Sequence, residues 1–105
     1  MQVQIHTDHH IEGTEAMHKW ASTAVKEALL RFSDKISRVE VHLSDENGGK
    51  KTSPENKQCT LEARFEGHQP LSVKHHATSL NQALDGAADK LVRLIDHTMG
   101  RTARA

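Results

Sequence analysis

Every apolar run in this chain is one-sided, and that constrains the fold more than any other feature. Val3 and Ile5 alternate with Gln2, Gln4 and His6, and Val39, Val41 and Leu43 with Arg38, Glu40 and His42. Cys59, Leu61, Ala63 and Phe65 alternate with Thr60, Glu62, Arg64 and Glu66, and Leu71 and Val73 with Ser72, Lys74 and His76. A period of two marks four strands, each with one buried face. Two longer segments carry the helical period instead. Met17, Trp20, Ala21, Ala24, Val25, Ala28 and Phe32 form a stripe on a helix capped by Thr14 and running to about Phe32. Leu80, Ala83, Leu84, Ala87, Leu91, Leu94 and Ile95 form the stripe of a second, from near Ser79 to Met99-Gly100. Six one-sided elements bury their apolar faces most simply when both helices cover one face of one sheet. The expected fold is therefore α+β, a two-layer β-α-β-β-β-α domain with a four-stranded sheet and two helices on one face. The helix between strands one and two makes them parallel neighbours through a right-handed crossover, and strands two to four an antiparallel meander.

The chain has 105 residues, the size of a single domain over 1–105 with no internal repeat. Residues 44–57, SDENGGKKTSPENK, are turn formers without an apolar anchor and are expected to be a mobile loop. Residues 100–105 are expected to be a short basic tail. The 14 Lys and Arg balance the 14 Asp and Glu, so nucleic-acid binding needs a local patch. No apolar run is long enough for a signal peptide or a membrane span, which points to the cytoplasm and away from membrane partners. The single cysteine, Cys59, has no disulfide partner within the chain, and it falls on the inward side of its strand, where a small buried hydrophobe is expected rather than a nucleophile.

No P-loop, GxGxxG, GxSxG or CxxC is present, so no enzyme, cofactor or small-molecule substrate is expected. Gly48-Gly49-Lys50 sits between strands, without a helix N-terminus to receive a phosphate. Of nine histidines, His9-His10 and His75-His76 are adjacent pairs that point apart in extended chain, and neither helix carries HxxxH, so no metal site is read from the spacing. The sheet's open face is expected to show Gln4, His6, Glu40, His42, Glu62, Arg64, Lys74 and His76, with no aromatic platform for stacking single-stranded RNA.

One helix face is more informative. Gly86, Lys90, Arg93 and His97, spaced four, three and four, form one exposed stripe on the last helix. Glycine inside a helix costs about 1 kcal/mol against alanine, and a bare backbone there would let a nucleic acid approach the cations beyond it. An ordinary solvated face with a tolerated glycine is the bland alternative.

At this stripe, Leu84-Asp85-Gly86-Ala87-Ala88-Asp89-Lys90-Leu91-Val92-Arg93 resembles the last-helix signature of the ribosome hibernation-promoting factor family, which includes the ribosome-associated translation inhibitors. Thr14-Glu15-Ala16-Met17 and the segment from Phe32 to Ile36 are similar to that family too. The resemblance implies a fold related to double-stranded-RNA-binding domains and a stress-response role in translation regulation. It implies binding to the small ribosomal subunit and its ribosomal RNA near the decoding centre, where messenger and transfer RNA sit. It also implies a short form, without the C-terminal domain by which long members pair ribosomes. Lys90 and Arg93 match the family's basic positions, and His97 stands where members usually carry lysine. Basic positions of the first helix are Ala24 and Glu27 here, with Lys26 beside them, and a family aromatic is Asn81. The expected RNA-binding set is Gly86, Lys90, Arg93, His97, Lys19, Lys26, Arg101 and Arg104. The alternative is a protein-interaction domain on the same scaffold that has lost RNA binding.

Overall fold

The computed structural model describes residues 1–45 and 56–104, with side chains through residue 99. The order is β1 (Gln2–Thr7), α1 (Glu15–Ala28), a 3-10 turn (Leu30–Phe32), β2 (Ile36–Asp45), β3 (Lys57–Phe65), β4 (Leu71–Ala77) and α2 (Leu80–Arg104). The strands lie in the order β1-β2-β3-β4. β1 runs parallel to β2, and β2, β3 and β4 pair antiparallel. This is the expected α+β architecture.

Register follows from the alternation. Val39, Val41, Leu43, Cys59, Leu61 and Ala63 point under the helices and are at most 1% exposed. They meet Ala21 and Val25 from α1, Leu29 just beyond its end, and Ala83, Leu84, Ala87, Leu91 and Ile95 from α2. A one-residue slip of any strand would turn its apolar set to solvent, so burial itself fixes the pairing.

Both helices start as read. The Thr14 hydroxyl accepts from the Met17 N–H at 3.1 Å, and the Ser79 hydroxyl accepts from the Gln82 N–H at 3.1 Å. Their ends differ. α1 stops at Ala28, because Leu29 leaves helical geometry at φ −103°, ψ 15° and the chain tightens into the 3-10 turn. That shift sends Phe32 inward and leaves Leu30 69% exposed. The Arg31 guanidinium lies 4.6 Å from the Phe32 ring and pairs with Asp96 of α2, closing the two helices together.

α2 does not stop at Met99-Gly100 but continues through Arg104, so residues 100–104 are helix rather than tail. Ser44 and Asp45 belong to β2 and Lys57 to β3, where Lys57 Nζ donates to Asp45 Oδ2 at 2.9 Å. Of the loop expected over 44–57, residues 46–55 lie outside the described residues.

Candidate functional site: a basic flank where the last helix meets an edge strand

β4 is an edge strand, and α2 lies along it. Contrary to the sequence reading, Gly86 is not bare for an incoming nucleic acid. His75, paired with Cys59 across β3–β4, projects from the inner side of β4, and its ring fills the space over Gly86. A Cβ at position 86 would meet His75 Cδ2 at 2.1 Å, Nε2 at 2.3 Å and Cγ at 2.6 Å. The glycine is therefore explained by close helix–sheet packing inside the domain.

Lys90 lies one turn further along α2. Its Nζ donates to the Lys74 carbonyl of β4 at 2.9 Å, so the ammonium sits beside the sheet edge. Arg93 is 79% exposed and pairs with Asp89 at 3.0 Å. His97 is exposed. Steps of four and three residues keep one helix face in line. Because α2 continues past Gly100, positions 101 and 104 extend the line 86, 90, 93, 97 in register.

Lys19 and Lys26 are exposed on α1, seven residues apart and on one face. The structure does not bring them to the α2 stripe. Ala24 and Ala28 mark the side of α1 that faces α2, and each lies about 200° around the helix from Lys26. That facing side forms a cleft of about 350 Å³ with Leu84, Asp85, Ala88, Asp89 and Val92. The cleft therefore has small apolar walls and two α2 carboxylates, and the cations stand on opposite outer flanks of the helical layer.

Cys59 is fully buried, and loss of water around the thiolate pushes its pKa from 9.0 up to about 12, so it is no nucleophile. The open sheet face carries a group that spacing along the chain did not reveal. Parallel pairing sets His6 beside His42, their rings stacked at 4.6 Å and 15°. Glu40 Oε1 lies 3.4 Å from His6 Nε2, and its Oε2 lies 3.2 Å from Arg38 Nη2 and 3.3 Å from Arg64 Nε. The signal was the shared strand register, which becomes readable once β1 and β2 are paired. No described helix is long and apolar enough to cross a membrane.

Fold and flank together define a two-layer α+β domain with a cationic helix stripe beside an edge strand. The sequence matches the profile of the sigma 54 modulation protein / S30EA ribosomal protein family over residues 3–102. The chain belongs to that family of ribosome-associated modulation factors. Its fold is similar to the Protein Y N-terminal domain of Thermus thermophilus, with a TM-score of 0.73 at 20% identity, covering 93% of this chain and 99% of that one. It is also similar to a ribosomal subunit interface protein of Coxiella burnetii, with a TM-score of 0.71 at 13% identity, covering 95% and 99%. At these identities the likeness is one of fold. No curated protein matches the sequence.

Proposed function

We propose that this protein binds the small ribosomal subunit near the decoding centre and holds idle ribosomes out of translation in the cytoplasm of stressed or non-growing cells. The observation that carries the reading is the exposed α2 stripe, Lys90, Arg93 and His97, in a chain whose family match spans residues 3–102. Ribosomal RNA presents a dense array of phosphates, and two cations with an imidazole in line at one-turn spacing meet such an array without reorganising the fold. The protein acts by occupancy, without a bond made or broken. The C. burnetii protein with this fold is named a ribosomal subunit interface protein, which supports a ribosomal partner.

One observation supports the second reading, a protein-interaction domain. Asp85 and Asp89 line the cleft between the helices, and carboxylates there repel phosphate. RNA is therefore expected along the outer α2 flank and not in the cleft.

Cosedimentation with purified small subunits at low and high salt tests the proposal. Binding at low salt that weakens steeply as salt rises is the expected result. Protein found only in the ribosome-free fraction at low salt would assign the scaffold to protein partners instead.

A further inference from the structure

We propose that His6, His42 and Glu40 form a binding site for a divalent transition-metal ion of the zinc class on the open face of the sheet. Their ligand atoms all lie within 4.8 Å of one another. Ligands at about 2.0–2.1 Å from a tetrahedral ion stand about 3.4 Å apart, and the two rings, stacked at 15°, must turn out of their stack about χ2 to aim both in-plane lone pairs at one ion. The strand backbones need not move, because the β1–β2 register already sets His6 against His42.

The carboxylate is oriented for the task. Arg38 and Arg64 hold Glu40 Oε2, and Oε1 is turned toward the imidazole of His6. The hydrogen bond from Arg38 and the ion pair with Arg64 on the far oxygen fix the carboxylate's direction, as outer-shell partners do in metal sites. Access is open, since the His6 side chain is 46% exposed. Two imidazoles select zinc-class ions over magnesium and calcium, which prefer all-oxygen sites. Three protein ligands leave one position for water.

Charge sets the strength. Arg38 and Arg64 offset Glu40 and Glu62, with Arg64 Nη2 2.9 Å from Glu62 Oε1. A dication thus enters surroundings of balanced charge and gains no long-range attraction from them. The bound ion ties edge strand β1 to β2 across the open face.

The test uses the full chain at pH 7.5 with zinc chloride, read by calorimetry and by long-range 1H–15N NMR of the imidazoles. The expected result is one zinc per chain, with one ring nitrogen each of His6 and His42 shifting and the melting temperature rising. His6→Ala is expected to weaken binding about tenfold or more and to abolish the rise in melting temperature. The paired variant His9→Ala/His10→Ala should bind as wild type does, and excess magnesium chloride should not compete. His6 sits exposed on an edge strand, so its variant stays folded, and the NMR shifts read the ligands in the unaltered protein. Absence of zinc binding, zinc shifts confined to other histidines, or equal affinity in His6→Ala would overturn the proposal.

Discussion

The two outer flanks of the helical layer look alike in sequence and differ in structure. On α1, Lys19 and Lys26 stand on a helix face turned away from the rest of the domain. On α2, the cations belong to a composite surface. Lys90 reaches the β4 backbone, Arg93 is held by Asp89, and His75 from β4 fills the notch at Gly86. A basic spacing therefore says where cations stand but not whether they are ordered. Lys90, tied to the β4 backbone, loses less side-chain entropy on meeting a phosphate than a free lysine does, which favours the α2 flank as the main contact.

The largest expected effect breaks the composite at its centre. Gly86→Leu should destabilise the domain by about 3 kcal/mol, the upper range for overpacking, because the His75 ring occupies the site. Gly86→Ala is the sharper version. Helix propensity alone predicts a gain of about 1 kcal/mol, yet a Cβ 2.6 Å from His75 Cγ forces the ring to swing about χ1 or the helix to lift. The expected net change is a loss of about 1 kcal/mol. In a His75→Ala background the same substitution should turn stabilising by up to about 1 kcal/mol. Urea unfolding of the four proteins gives the cycle. A gain in both backgrounds would show that the glycine is not kept for packing.

The same residue shows where sequence reading stops. The cap at Thr14, the strand alternation and the helix stripes are local signals, and the fold built from them is the one observed. Gly86 stands out in the sequence for its cost in a helix, but its partner His75 is brought near only by strand β4 folding against α2. Seen alone, it invited an external ligand. Gly100 misled in the opposite way, since glycine after an apolar stripe is the usual stop signal, yet α2 runs through it. The break after Ala28 had no punctuating residue at all. The His6–Glu40–His42 group required a cross-strand register between segments more than thirty residues apart.

The next effect separates the flanks by binding. Lys90→Ala/Arg93→Ala should weaken small-subunit affinity by about tenfold or more, and lower the slope of log affinity against log salt by about 1–2. The fold should persist, because the Lys74 carbonyl at the edge can take water in place of Lys90. Equal affinity and slope in the folded double variant would move the RNA surface off α2. Lys19→Ala/Lys26→Ala should weaken binding by only about two- to fivefold, since these lysines must be ordered on contact. A larger loss than that of the α2 pair would reverse the comparison and make α1 the main contact.

The smallest effect tests how the ion pair on α2 is used. Asp89 and Arg93 are four residues apart and both well exposed, with the side chains at 61% and 79%. Such a pair contributes only about 0.3–0.5 kcal/mol to stability, so its loss should barely move the unfolding midpoint. Its effect on binding has the opposite sign. Asp89 draws the guanidinium along the helix toward the cleft and adds a negative charge beside the phosphates. Asp89→Asn keeps size and shape, removes that charge and frees Arg93 to reach outward. Small-subunit affinity is then expected to rise by about two- to threefold at low salt, with the gain fading as salt screens the charge. The gain should vanish when Arg93→Ala is added, because the freed cation is then absent. If Asp89→Asn instead weakens binding, the carboxylate is a positioning group that aims Arg93, and the order of the α2 flank, more than its net charge, sets its affinity for RNA.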